Sequence, residues 1–437
     1  MIKEMHLKKD STLVLTIRPF HKIIYEIDHL GRDPFRTSTF DEEVSMKKFV
    51  AIFSVLFLVV ICFGQGHSYA PSGKQELKVI KKQGAQDVKK EGGEKAQEAP
   101  PPIASLEALH QFLLKKAKTN EFSGTVLIAR EGKPVFKEAY GFASKRFEVP
   151  NKTDTKFNLG SINKLFTSIA ILQLAEKGKV ALDDPIGKYL DVFPDDIAEK
   201  VTIRHLLDMS SGWGDYWENE DFNAHQFKLR TVSDYMEFIK DIPLDFEPGT
   251  DTQHCNTGFE VAGAVIEKVT GEDYYNYIRT YIYEPLGMSD TDSFHRDGPV
   301  KNLAIGYTDF TPEGKTGKGY EWSNMYILSP RGTPAGGGYS TVGDILKLDQ
   351  ALRNNKILSQ DYTHVIWNGF RGDPGDPINP IILERMWVSV GGAPGITAIF
   401  GISLKDGLTY IVLSNYDFPV AMDIFREIRR MDLAKVE

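Results

Sequence analysis

The stretch FNLGSINKLFTSIAILQLAEKGK, residues 157–179, decides how the rest of the chain is read. From Ser161 to Lys177 it is apolar nearly all round, through Ile162, Leu165, Phe166, Ile169, Ile171, Leu172 and Leu174. A helix of that composition has no solvent face and belongs in a core. Gly178 supplies its stop. Ser161 and Lys164 stand three residues apart, so both project from one side of the first turn. Burying a lysine disfavours its charged form and lowers its pKa. An amine of reduced basicity beside a hydroxyl is what a serine nucleophile requires, because serine reacts poorly until something takes its proton. The helix N-terminus adds N–H groups and positive potential where negative charge would develop. Taken alone, S-x-x-K is short, and a helix cap at Ser161 with Lys164 reaching solvent fits the same letters.

The flanking sequence gives the context. GTVLIAREGKPVFKEAYGFA, residues 124–143, holds two β-rich runs about Glu131-Gly132-Lys133 and predicts a hairpin from Thr125 to Tyr140. Near the C-terminus MWVSV, ITAIFGISL and LTYIVLSN are short β-rich runs separated by glycine-containing turns. Both ends of the domain thus supply antiparallel strands to one sheet. Between them, helical spacing marks Ile203–Met209, Val232–Lys240, Phe259–Val269, Tyr274–Tyr283 and Thr341–Arg353, the last with a capping-box start at Thr341 and Asp344. Val420–Met431 is a closing amphipathic helix. The expected architecture is α+β, an antiparallel sheet flanked by helices with an inserted helical subdomain.

At 437 residues and a formal charge of -8, with no concentrated basic face, the chain gives no reason to expect nucleic-acid binding and points to a small-molecule or peptide partner. MKKFVAIFSVLFLVVICFGQGHSYA, residues 46–70, has a positive start, an apolar run too short to span a bilayer and a small-x-small end at Ser68-Tyr69-Ala70. It reads as a cleaved signal, so an exported protein, periplasmic or extracellular and without a stable membrane anchor, is expected. Residues 1–45 are then a mis-assigned extension, residues 71–102 a disordered charged and proline-rich linker, and residues 103–437 the folded domain. Once the signal is removed Cys255 is the sole cysteine, which excludes an intramolecular disulfide. His225, His295 and His364 are scattered without ligand spacing, so neither a metal nor another cofactor is expected. His205 reads as a packed structural histidine.

Over nearly the whole domain the sequence resembles the serine β-lactamase and penicillin-binding protein superfamily, specifically its class C-like branch with D-alanyl-D-alanine carboxypeptidases and esterases. The resemblance is carried by the serine helix through DDPIGKYL, VTIRHLLDMSSG, FEPGTDTQHCNTGFEVAGAVIEKVTG, YEPLGMSDT, RGTPAGGGYSTVGDILKL and VGGAPGI. It implies an acyl-enzyme mechanism in a cleft between sheet and helical subdomain. Ser161 would be the nucleophile and Lys164 its proton partner. The usual Tyr-x-Asn falls on His254-Cys255-Asn256, so Asn256 would bond substrate and Lys164. The usual basic-x-Gly falls on Ser389-Val390-Gly391, which would line the substrate, and the N–H groups of Ser161 and Gly392 would form the oxyanion hole.

Two departures shape the functional expectation. His254 stands where the family uses tyrosine; an imidazole also accepts and donates protons, and with an ordinary pKa near ~6.5 it predicts activity falling below that pH. Ser389 replaces the lysine or histidine that holds a substrate carboxylate, which favours a neutral ester, amide or D-amino-acid peptide and leaves β-lactamase activity weak or absent. Cys255 points away from His254 on an extended segment and reads as a buried filler, not a nucleophile. The expected protein is an exported serine hydrolase; the alternative is a non-catalytic envelope protein binding peptide or peptidoglycan-like ligands on the same fold.

Overall fold

A computed structural model describes residues 2–7, 13–18, 102–431 except 312, 313 and 318, and 433. The signal at 46–70 and all but the last residue of the linker at 71–102 lie outside the described residues. Within the N-terminal extension, Ile2–Leu7 pairs antiparallel with Leu13–Arg18, Ile2 opposite Arg18. That hairpin belongs to a unit of its own, residues 1–50.

In the main unit the elements that place the site are α1 (Leu106–Lys118), β1 (Gly124–Arg130), β2 (Lys133–Tyr140), α2 (Lys164–Glu176), α3 (Ile203–Leu207), α4 (Val232–Ile239), α5 (Thr257–Thr270), α6 (Val342–Arg353), β3 (Met386–Ala393), β4 (Ile396–Ser403), β5 (Leu408–Ser414) and α7 (Val420–Arg429). The strands form one antiparallel sheet in the order β3-β4-β5-β1-β2. The first and last strands of the sheet in chain order therefore pair within it, β5 with β1, and Leu413 faces Thr125. Side chains alternate between faces along a strand. Val126 and Ile128 accordingly pack with Leu109 and Leu113 of α1 and Ile424 and Ile428 of α7, while Leu127 and Ala129 join the core built on α2. Because both faces are covered, β4 and β5 are buried along their whole length. Each large apolar side chain so placed contributes about 1.5–3 kcal/mol.

Every residue of α2 from Lys164 to Ala175 is buried, as its all-round apolar composition requires. The helix is entered through a 3-10 turn, Gly160–Asn163, so Ser161 sits on the tighter turn and not on the α-helix itself. Two other expected boundaries shift for local reasons. The helix expected at Tyr274–Tyr283 is α-helical only to Ile278 and continues as a π-turn over Arg279–Tyr283. At the start of α6 the Thr341 hydroxyl accepts from the Asp344 N–H at 3.2 Å, but only that half of the expected capping box forms. The Asp344 carboxylate instead accepts from the Asp290 N–H at 2.8 Å and the Thr291 hydroxyl at 2.9 Å. Among the described residues no helix is long and apolar enough to cross a membrane.

Candidate active site

The 3-10 turn bearing Ser161 is wedged between the edge strand β3 and the loop Thr333–Gly338. Leu159 N–H donates to the Gly338 carbonyl at 2.7 Å and Gly337 N–H to the Gly160 carbonyl at 3.2 Å. Asn163 adds a bond from its amide to the Thr333 carbonyl at 2.6 Å. On the strand side the approach is closer than any side chain permits. A Cβ on Gly391 would lie 1.9 Å from the Leu159 carbonyl oxygen and 3.0 Å from the Ser161 nitrogen. Gly160 has φ +50° and faces the Gly392 nitrogen across 2.7 Å from its own virtual Cβ. Two glycines thus bring the backbone nitrogens of Ser161 and Gly392 to one place. Ser389 and Val390, half-buried, precede them on the same strand.

Lys164 organises the centre. It is 4% exposed, and its Nζ donates to Asn256 Oδ1 at 2.6 Å, to the Ala335 carbonyl at 2.6 Å and to Ser161 Oγ at 3.2 Å. An ammonium has three N–H donors, and all are used. Burial lowers its pKa to about 8, against the opposing pull of Asp215, Glu260 and Cys255. Snorkelling to solvent, the competing reading of S-x-x-K, is therefore not what this lysine does.

Asn256 enters from the start of α5 and is itself held, its Nδ2 donating to Asp215 Oδ2 at 2.6 Å. Neither Asp215 nor Glu260 was visible as a site residue in the sequence. Asp215 lies in SSGWGDYW with no chemical signature, and Glu260 reads as one polar position on an amphipathic helix. Both carboxyls are pushed upward by burial, Asp215 to about 6 and Glu260 to about 7. The Tyr216 hydroxyl donates to Glu260 Oε1 at 3.2 Å.

His254 lies close enough to Lys164 to feel its charge, but it does not titrate where an ordinary histidine would. Its Nε2 is shut off from solvent, and burial followed by the Lys164 ammonium lowers its pKa to about 3. An acid limb set by His254 would therefore lie below the pH 6.5 of an ordinary imidazole. At neutral pH the imidazole is uncharged. A base that weak is a poor final acceptor, whereas Lys164 near 8 is well matched to neutral conditions.

Cys255 behaves as the filler expected of it. It is buried, its Sγ accepts from the Gly258 N–H at 3.3 Å, and burial raises its thiol to about 12, far from a thiolate at neutral pH. His205 is structural in a specific way: it completes a capping box at the start of α3, its Nδ1 accepting from the Thr202 N–H at 3.2 Å. His225, His295 and His364 remain apart from this centre, and no group of three metal-ligating side chains occurs among the described residues.

Known proteins share the sequence pattern and the fold of this domain. Residues 112–435 match the sequence model of the family described as Beta-lactamase. The chain is 29% identical over 328 residues to penicillin-binding protein 4* of Bacillus subtilis (strain 168), covering 71% of each chain. It is 28% identical over 282 residues to the esterase EstB of Burkholderia gladioli, covering 58% of this chain and 70% of the esterase. Among solved structures, a penicillin binding protein from Bacillus halodurans superposes with a TM-score of 0.63 at 28% identity, over 74% of this chain and 98% of the other. A D-amino acid amidase from Ochrobactrum anthropi SV3 shares the fold, with a TM-score of 0.59 at 24% identity, over 74% of this chain and 98% of the amidase.

Proposed function

The chain belongs to the beta-lactamase family of serine hydrolases, and from that premise we propose that it cleaves neutral esters, amides or D-amino-acid peptides through an acyl-enzyme on Ser161. The observation that carries the reading is the buried Lys164 Nζ, 3.2 Å from Ser161 Oγ with its other hydrogens committed elsewhere. Ser161 Oγ attacks the substrate carbonyl as its proton passes to Lys164, and the carbonyl oxygen gathers negative charge against the N–H groups of Ser161 and Gly392. Removing one such donor typically costs about 2.7–4 kcal/mol of barrier. Collapse of that intermediate expels the leaving group, which takes the proton, and water then releases the acid by the same steps reversed. A neutral imidazole accepts at one nitrogen while it donates from the other, so His254 serves as a relay between Lys164 and the leaving group without becoming a cation. Asn256 keeps Lys164 in place and offers its amide to the substrate.

Substrate charge is decided at Ser389. With a hydroxyl where the resemblance leads one to expect a cation, a substrate carboxylate loses a charge-assisted bond of about 1.5–3 kcal/mol. Turnover of β-lactams is accordingly weak or absent. An esterase among the similar proteins supports the neutral-substrate reading. Export, with a mature start after Ala70, is part of the proposal and rests on the character of residues 46–70.

The test is covalent labelling. A fluorophosphonate probe followed by peptide mass spectrometry is expected to modify Ser161 in the wild type and not in Ser161→Ala, and p-nitrophenyl acetate should turn over faster than benzylpenicillin. Peptide binding without any acylation would return the protein to the class of non-catalytic binders. Faster turnover of the penicillin would remove the substrate assignment alone.

A further inference from the structure

Asn256 poses a problem that its own chemistry does not solve. Its side chain carries an acceptor oxygen and a donor nitrogen of nearly equal size, and only the oxygen can receive a hydrogen from Lys164. A half-turn of the amide would present N–H to N–H and break the contact. What fixes the orientation lies behind it: Asp215 Oδ2, acceptor-only when ionised, stands 2.6 Å from Asn256 Nδ2. Asp215 is held in turn, because its Oδ1 accepts from the Trp217 N–H at 3.2 Å as the cap of the short turn Tyr216–Glu218.

The consequence reaches Ser161. Once Lys164 has lost a proton it keeps two N–H groups and one lone pair. The Ala335 carbonyl and the Asn256 amide oxygen, each at 2.6 Å, can only accept, so both hydrogens go to them. One direction is left for the lone pair, and it is the 3.2 Å line to Ser161 Oγ.

We infer that Asp215 is the positioning residue of this site: by locking the Asn256 amide it aims the Lys164 lone pair at Ser161. The inference rests on the proposed roles of Ser161 and Lys164. It goes beyond them by giving a residue outside the S-x-x-K and H-x-N segments a defined duty. The groups facing Lys164 are Asp215 from the loop after α3, His254 and Cys255 from the segment before α5, and Glu260 from α5 itself. Asp215 is the one whose carboxylate takes a hydrogen from the Asn256 side-chain amide.

A purely structural role makes the opposite forecast, which allows a clean test. Asparagine caps a turn as well as aspartate does. If Asp215 only caps Tyr216–Glu218, Asp215→Asn should leave both the melting temperature and the chemistry unchanged. A positioning role instead lets the new amide turn Asn256 around. The melting temperature then holds, while kcat on p-nitrophenyl acetate and the fluorophosphonate labelling rate fall about tenfold or more with KM little changed, the cost of one misdirected buried hydrogen bond. The swapped pair Asp215→Asn with Asn256→Asp restores an unambiguous acceptor toward Lys164 and should recover much of the rate lost by either single variant. Wild-type labelling and turnover in Asp215→Asn, or a swapped pair no faster than Asn256→Asp alone, would overturn the assignment while leaving the proposed function standing. Failure of the wild type to label at Ser161 would remove both.

Discussion

At the scale of single residues, the site is a set of groups whose charges are decided by burial. Lys164, taken out of water, holds its proton only to about pH 8, and the same enclosure keeps His254 neutral down to about 3. If Lys164 must be unprotonated to receive the serine proton, log kcat/KM rises with pH up to about 8 and then levels. His254→Asn should slow turnover without moving that break, because a neutral ring exerts no charge on Lys164. Lys164→Ala should abolish the break and cost about 100- to 10,000-fold in rate. A pH profile flat from 6 to 9 would remove Lys164 as the acceptor. The sequence makes the pairing of Ser161 with Lys164 legible, since their spacing alone puts them on one face. It hides the state of His254, because solvent access around an imidazole is set by chain segments remote from it.

At the scale of elements, the site depends on how tightly the serine turn sits on the edge of the sheet. Gly391 permits a separation that no other residue could, its virtual Cβ falling 1.9 Å from the Leu159 carbonyl. Gly391→Ala should therefore push the Gly160–Asn163 turn off β3, destabilise the protein by about 1–3 kcal/mol and cut the labelling rate at Ser161 by more than the stability loss explains. A thermal melt beside the labelling time course separates the two effects; an unchanged labelling rate would show that this contact does not set the geometry of the Ser161 and Gly392 nitrogens. The strands and helices themselves were largely readable, because the β-rich apolar run of β1 and the all-round apolarity of α2 follow from layers that each bury. Element ends were less so. The serine lies on a 3-10 turn because Gly160 takes a positive φ and loop carbonyls from Thr333 to Gly338 capture the turn, and neither fact is written in local propensity.

At the scale of the whole molecule, the fold accommodates buried charge at a cost that varies with pH. Glu260 is fully buried and titrates near 7 in place of its ordinary 4.5. A raised carboxyl pKa means the native state binds more protons than the unfolded chain between those values, so stability falls as pH rises from about 4.5 to 7 and the penalty is complete above. Glu260→Gln, which cannot ionise, should gain on the wild type through that window, the difference between them shifting in its favour by about 3 kcal/mol from pH 4.5 to above 7. Denaturant melts at pH 4.5 and 7.5 check this; equal differences at both would show that Glu260 does not titrate between them. By itself the sequence determined the sheet-and-helix class, the buried serine helix and the residues of its first turn, because periodicity and composition are local properties that burial then selects. Only the tertiary structure decided that Asp215 stands behind Asn256, that the Ala335 carbonyl closes the third side of Lys164, and that His254 Nε2 is shut off from solvent. Those contacts join segments between 41 and 171 residues apart, and the strength of an electrostatic interaction depends on how much water the packed chain leaves between its partners.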